Sequence, residues 1–404
     1  MGKLNPNISY FAKVDFRSDN RIFGWHQSDR MMGAYILGKT STGKSNLMQT
    51  LIRQDVNEHR GFCLIDVHGD LVREVMEYIP GQRMKNVIYL DTTKPDNLEW
   101  GYNPLKKVSV QHQHLVASHI LETFQKIWGQ QSWGVRIEYV LRHTLLLLLQ
   151  QEDSTFEDIP RVFTDEDFRN KCVQKIVAKD QHDFWFFQFP KYSRADVLPI
   201  LNKVGSFLAI PTIRKILVEN KKQISMHKVI NDQKILLCNL SKGVLGVDGV
   251  HLLGSLLISS ISASGFYRTE LQEHKRKPFF VYLDEFSNFS SLALVNMFSE
   301  LRKYRIGFII AHQYLNQIST AIRDSILGNI GSLLIFRVSY QDAKYFSQEF
   351  FPVFKPEDFV NLPNHALYLK LLVSGKPSKA FSAKTIRANT IELPKRITVS
   401  HLDY

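Results

Sequence analysis

The chain has 404 residues, 44% hydrophobic and 22% charged, which excludes a disordered, collagen-like or coiled-coil protein and allows two or three packed units. Lysine and arginine exceed aspartate and glutamate by 12, a balance that suits a polyanionic partner without identifying one. Cys63, Cys172 and Cys238 lie far apart, so they form no ligand cluster and read as buried thiols of a reducing compartment. No run approaches the roughly 18 apolar residues of a membrane span, and no signal-peptide core opens the chain. The expectation is a soluble, cytoplasmic protein with no transmembrane segment.

In chain order, an apolar strand is expected over 32–37, broken by a loop at 38–45. Leu47, Met48, Leu51, Ile52 and Val56 recur at helical spacing, giving a helix over 45–56. A second strand (61–66), a turn, a helix over 71–78 stopped by Pro80 and Gly81, and a third strand (86–90) follow. Strands alternating with helices imply a mostly parallel sheet covered on both faces. From 106 to 230 helical spacing dominates, at 115–128, 135–150, 165–177 and 194–208, and strand signals nearly vanish. They return at 234–240, 279–283, 307–310 and 332–336, with helices at 251–267, 290–304 and 320–327. A β-rich tail follows at 366–373 and 379–385, and the polar end beyond Arg387 is expected to wrap along the surface. The fold class is therefore α/β, a P-loop ATPase domain formed by 1–105 and 231–404 and interrupted by an all-helical insertion domain, 106–230.

The strongest motif is G-x-x-x-x-G-K-S at 38–45, set between a strand and a helix. Backbone N–H groups of such a loop surround phosphates, its lysine reaches the β and γ phosphates, and its serine takes a magnesium position. Gly38, Thr40, Ser41, Thr42, Gly43, Lys44, Ser45 and Asn46 are thus the expected nucleotide-binding residues, with ATP and Mg2+ as cofactors. Asp284 and Glu285 end the apolar strand 279–283. The first acid is expected to hold Mg2+ with Ser45, which leaves Glu285 to orient and deprotonate the attacking water. Gln313 ends the next strand and is expected to sense the γ phosphate or position water. Arg302 ends a helix that the sequence places near the carboxyl edge of the sheet, from where it would stabilise transition-state charge in a neighbouring subunit. Spacing alone does not separate it from Arg305. Asp66 is expected to contact the nucleotide site through water or to hold the N–H groups of its own loop. His68, His112 and His114 have no metal-like spacing to carboxylates or cysteines.

These segments together resemble the type IV secretion coupling protein family, within the superfamily of hexameric pumping ATPases that includes HerA-type and FtsK-type motors. The resemblance spans roughly 21–385 and rests on six pieces in family order: 36–45 (ILGKTSTGKS), 64–71 (LIDVHGDL), 101–104 (GYNP), 236–243 (LLCNLSKG), 283–286 (LDEF) and 310–313 (IAHQ). It implies a RecA-like core, a homohexamer, Arg302 as the trans-acting arginine and Gln313 as the polar sensor. It also implies that the helical insertion is the all-alpha domain at the cytosolic mouth of the ring. Val67 stands where the family usually has proline, which loosens the loop but removes no chemical group. Membrane-bound members carry an N-terminal pair of transmembrane helices and HerA-type proteins an N-terminal barrel, and neither is expected here. Recruitment to the inner membrane face would then come from a partner.

Basic clusters at 106–107, 221–222, 274–277 and 302–305 suit gripping of a DNA backbone, and Trp100, Trp128, Trp133 and Trp185 form no base-stacking ladder. The function expected is an ATP-driven DNA translocase of conjugative transfer, with relaxase or secretion-channel proteins as partners. The alternatives are an ATPase recruiting protein substrates to a secretion channel and a HerA-like repair or defence motor.

Overall fold

The structure, a computed structural model, describes residues 5–15, 21–129, 133–176 and 178–387. The last residue of the helix expected over 165–177 and the polar end beyond Arg387 lie outside these. The strands are β1 Ile8–Val14, β2 Ile22–His26, β3 Ala34–Leu37, β4 Gly61–Asp66, β5 Val87–Asp91, β6 Ile235–Asn239 and β7 Phe279–Leu283. They continue with β8 Ile306–His312, β9 Ser332–Ile335, β10 Ala366–Lys370, β11 Leu372–Val373, β12 Lys376–Pro377 and β13 Phe381–Thr385. β11 and β12 form a small ribbon, and the others one sheet in the order β2-β1-β13-β10-β9-β3-β8-β7-β4-β6-β5.

From β9 to β5 every neighbouring pair is parallel, whereas β10, β13, β1 and β2 extend the sheet antiparallel. The central strands are buried on both sides, which explains their continuous apolar runs. Period-two alternation still assigns each residue to a layer. Tyr35, Leu37, Cys63, Ile65, Val281 and Leu283 face the larger helical layer. Ala34, Ile36, Phe62, Leu64, Phe280 and Tyr282 pack under the helices Lys44–Asn57 and Asp70–Glu77. The expected α/β class and mostly parallel sheet are those observed.

Between β5 and β6 the regular elements are helices, including Val110–Trp128, Val135–Leu148, Glu166–Val173 and Arg194–Leu208. Trp128 is buried and stacked on Phe124 at 4.6 Å. Helix Lys242–Phe266, continued by its terminal turn to Glu270, is long and apolar enough by composition to cross a membrane. Here Leu252, Leu253, Leu256, Leu257 and Ile261 are in the core, so in this fold the helix serves as the central packing element against Val110–Trp128.

The hairpin β1–β2 has no counterpart in the sequence reading. A register shift between Tyr10 and Ala12 buries Phe11 and Ala12 side by side, which destroys the alternation that would have announced the strand. Gly24 is required at the crossing, since a Cβ there would fall 2.0 Å from the Ser9 carbonyl oxygen.

Beneath this hairpin lies a buried ionic knot. Arg30 donates two 2.7 Å bonds to Asp55, a 3.0 Å bond to Ser9 Oγ and one to Tyr282 Oη, with its guanidinium 3.6 Å over the Phe280 ring. Tyr282 Oη donates to Asp55 Oδ2 at 2.5 Å. Burial alone would push the Asp55 carboxyl up, but the guanidinium of Arg30 outweighs it and holds the group below its usual value. A depressed carboxyl contributes stability that is present above its unfolded pKa and is lost as pH falls towards and below the folded value. Asp55→Ala should therefore destabilise the protein by about 3–5 kcal/mol at neutral pH, because it strands a buried guanidinium. Denaturant midpoints of wild type and variant should converge as the pH is lowered to 3, whereas a constant gap would exclude an ionic origin.

Candidate nucleotide site

The sheet order sets β8 between β3 and β7, with β4 beyond, and the carboxyl ends of all four meet on one edge. β3 runs into the loop 38–43 and then into helix Lys44–Asn57. Gly43 adopts φ +123°, and a Cβ there would press to 3.1 Å from His365 Nδ1 and Phe336 Cε1, so only glycine turns this corner without strain. The loop is braced from both sides: Thr42 Oγ1 donates to the Lys39 carbonyl at 2.7 Å, His365 N to the Thr42 carbonyl at 2.8 Å, and Lys39 N to the Arg337 carbonyl at 2.9 Å. Lys44 folds back over it, donating to the carbonyls of Gly38 (2.7 Å) and Lys39 (3.1 Å). Thr40, Ser41 and Ser45 are exposed at the mouth.

Asp284 and Glu285 follow β7 and are both 8% exposed. Asp284 N donates to the Ile65 carbonyl at 3.1 Å, tying the pair to β4. Glu285 adopts φ 53°, ψ 50°, an unusual conformation for a non-glycine residue and a mark of a locally imposed geometry. Gln313 reaches from the end of β8 and donates Nε2 to Glu285 Oε1 at 2.8 Å. Gln317 Oε1 anchors that strand end by accepting from Gln313 N (2.9 Å) and Tyr314 N (3.2 Å), and it lies 3.1 Å from His312 Nδ1. Nδ1 therefore carries the proton, and Nε2 accepts from Tyr35 Oη at 2.6 Å. His312 stays neutral, its pKa pushed down to about 4, chiefly by burial.

Burial, then the like charges of Asp66 and Glu285, push Asp284 up to about 7, and Lys44 offsets only part of this. Burial in turn lowers Lys44, while both carboxylates pull it back up. Of the two roles open to Asp66, the structure shows the local one: its carboxylate accepts His68 N at 2.8 Å and Val72 N at 3.2 Å. That fixes the 67–70 turn and leaves a negative charge behind Asp284. His68 is exposed.

This donor set fits a triphosphate with a divalent cation. The helix start offers unpaired N–H groups, Lys44 rests on carbonyls that it can exchange for phosphate oxygens, and Asp284 carries the charge deficit that a cation relieves. Among the described residues no three His, Cys, Asp or Glu side chains converge to hold a metal alone. Mg2+ characteristically takes one or two protein groups and completes its shell with phosphate and water.

One expected position needs correction. Arg302 is not near the carboxyl edge. Helix Leu292–Leu301 crosses back over the sheet, so its end precedes β8 at the amino edge, where Arg302 Nη1 lies 3.6 Å from Met32 Sδ, just ahead of β3. Arg305 lies at the same edge, its carbonyl accepting Phe279 N at 2.9 Å. Asn46 turns its side chain away from the loop and donates to the Ile386 carbonyl at 3.1 Å. The basic clusters 274–277 and 302–305 meet at the amino edge, where Arg276 Nη1 donates to the Lys303 carbonyl at 2.9 Å.

Sequence reasoning missed Asn288, which donates Nδ2 to the Glu285 carbonyl at 2.8 Å, and Lys126, whose Nζ donates to the Asn288 carbonyl at 3.4 Å. Asn288 lies in an ordinary polar turn, and Lys126 reads as a common helix-end base.

The whole fold is similar to that of the plasmid coupling protein TrwB in complex with ADP and Mg2+ (TM-score 0.67, 13% identity, covering 96% of this chain and 97% of that one). It is also similar to the bacterial conjugative coupling protein TrwBdeltaN70 in its unbound form (0.62, 13%, 91% and 87%). VirB4 of Thermoanaerobacter pseudethanolicus superposes comparably (0.63, 14%, 96% and 98%). No curated protein sequence matches the chain. Residues 278–350 match the family model of the TraM recognition site of TraD and TraG. The resemblance to the type IV coupling proteins holds. The matched segment begins just before β7 and contains Asp284, Glu285, Arg302 and Gln313, and it lies on a RecA-like P-loop NTPase fold.

A carboxyl whose folded pKa is raised contributes stability that is full below its unfolded pKa and is lost as pH rises through the folded value. For Asp284 that window runs from 3.8 to about 7, at about 1.4 kcal/mol per pH unit. Metal-free Asp284→Asn should thus melt increasingly above wild type as pH rises from 5 to 8. A pH-independent difference in melting temperature would contradict the buried like-charge cluster.

Proposed function

We propose that the chain is an ATP-driven DNA translocase of the coupling-protein kind, acting as a ring of six in conjugative transfer of a mobile element. The observation that carries this reading is the Gln313–Glu285 bond beside Lys44 and Asp284, within a segment matching a coupling-protein family. In the proposed reaction Lys44 exchanges the Gly38 and Lys39 carbonyls for phosphate oxygens. Ser45 and Asp284 would hold Mg2+, directly or through water, and the ion would supply neutralising charge to the phosphates. Glu285 accepts the proton of a water whose oxygen bonds the γ phosphorus while the bond to the leaving oxygen breaks, releasing ADP and phosphate. Gln313 holds the carboxylate in position for that transfer. Arg302 is exposed on the amino edge and is assigned to the site of the neighbouring protomer.

The basic clusters at the amino edge favour gripping of DNA phosphates without base reading. In this reading the protein works in the cytoplasm and meets the inner membrane through a partner. The TraM-recognition match favours docking of a relaxosome protein on residues 278–350, and it also favours the second reading, an ATPase that recruits protein substrates to a secretion channel.

Lys44→Ala should lose nucleotide affinity, whereas Glu285→Gln should bind ATP with Mg2+ and turn it over about 100-fold or more slowly. Long DNA of unrelated sequences should stimulate wild-type hydrolysis equally, and stimulation should fall steeply with salt. Indifference to DNA, with tight binding of a secreted protein, would favour the second reading. Arg302→Ala should bind nucleotide but hydrolyse poorly, and mixing it with Lys44→Ala should restore activity at boundaries that combine one intact half from each. Absence of rescue in verified mixed rings would remove Arg302 from its trans role.

A further inference from the structure

Lys126 sits near the end of helix Val110–Trp128, in the helical stretch between β5 and β6. It lies beside a small cavity lined by Glu122, Ser255, Phe289 and Leu294, between that helix, helix Lys242–Phe266 and the turn that follows Glu285. Among the described residues its one hydrogen-bond acceptor is the Asn288 carbonyl, and no carboxylate forms an ion pair with it. Burial alone brings the ammonium down to about 8, and its charge in turn helps depress His251. The Lys126 side chain is half-buried, and holding an unpaired ammonium partly out of water costs stability, so packing does not explain it.

Its acceptor belongs to the residue that holds the catalytic turn. Asn288 bonds the Glu285 carbonyl twice, through its backbone N–H at 3.0 Å and through Nδ2 at 2.8 Å, closing the turn in which Glu285 takes positive φ. The path from Lys126 to Asn288 to Glu285 therefore links the helical stretch to the carboxylate that Gln313 holds from the other side.

We propose that Lys126 and Asn288 are positioning residues for ATP hydrolysis, and that through them the helical stretch between β5 and β6 controls the Glu285 carboxylate. This rests on the hydrolysis reading above. A shift of helix Val110–Trp128, caused by whatever the helical stretch grips, moves the Asn288 carbonyl and with it the turn that sets the direction of Glu285. Loading of the helical stretch is thereby reported to the site without contact with nucleotide.

The test uses the full chain with Lys126→Met, Lys126→Arg, Asn288→Ala and the double variant Lys126→Met/Asn288→Ala. Melting temperature, nucleotide affinity and kcat are measured with and without long DNA. Lys126→Met should melt at or above the wild-type temperature, bind nucleotide within about twofold of wild type, and lose about tenfold in kcat together with its response to DNA. Lys126→Arg should retain most of the activity, and the double variant should be no slower than the worse single one, as expected of residues acting in series. Wild-type kcat and DNA response in Lys126→Met would overturn the proposal. So would a kcat loss that tracks a lower melting temperature and is not relieved in Lys126→Arg. Glu285→Gln runs alongside: normal turnover there would overturn the hydrolysis reading itself, whereas an inactive Glu285→Gln beside a normal Lys126→Met would overturn only the positioning role.

Discussion

Parallel hydrogen bonding from β9 across to β5 is the constraint on which the rest depends. Parallel strands share a direction, so each carboxyl end emerges on the same edge, and each return crossing must use a helix on one face or the other. Residues separated by some 270 positions in sequence thereby become neighbours. Lys44 follows β3, Gln313 follows β8, Asp284 and Glu285 follow β7, and Asp66 ends β4. A shift of one strand by a single residue would turn these side chains into the wrong layer. The Arg30–Asp55–Tyr282 knot bears on that register, because it joins the hairpin side, helix Lys44–Asn57 and β7 beneath the site.

The electrostatics of the site follow from placing three carboxylates and one ammonium where water is scarce. Burial, with Asp66 on one side and Glu285 on the other, pushes Asp284 up to about 7. Charge frustration of this kind suits a site that takes up a cation together with a polyanion: both partners arrive with the charge that each side of the cluster lacks. Gln313 and Asn288 are neutral, and they restrain Glu285 through its carboxylate and its carbonyl without adding to the imbalance.

The same crossing rule that assembles the site sends other groups away from it. Each helix that follows a strand delivers its far end to the amino edge, and the 274–277 and 302–305 clusters collect there. The carboxyl edge thus gathers Asp66, Asp284 and Glu285 while the amino edge is basic and exposed. In a head-to-tail ring of the kind proposed, such opposite edges are complementary surfaces.

The sequence by itself determined the layering of this protein and the make-up of its candidate nucleotide site. The glycine–lysine–serine loop, the acidic pair after an apolar strand and the glutamine after the next strand are local patterns, with their polar groups a few residues from the break in periodicity. β4 and β7 are legible to the residue because strands buried on both faces are continuous apolar runs. Tertiary structure decided the rest. The hairpin β1–β2 hid behind a bulge, and helices Tyr340–Glu349 and Pro356–Val360 behind polar faces. Arg302 went to the amino edge because a crossing helix spans the sheet, a distance that no spacing rule contains. Asn46 turned to the end of β13, and Asp66 to its own turn, because partners distant in sequence or local N–H groups competed for the same side chains. Lys126 and Asn288 carry no motif at all. Their bond exists only where a helix more than 150 residues upstream packs against the turn that follows Glu285, and packing of that range is decided by the whole core rather than by any local pattern.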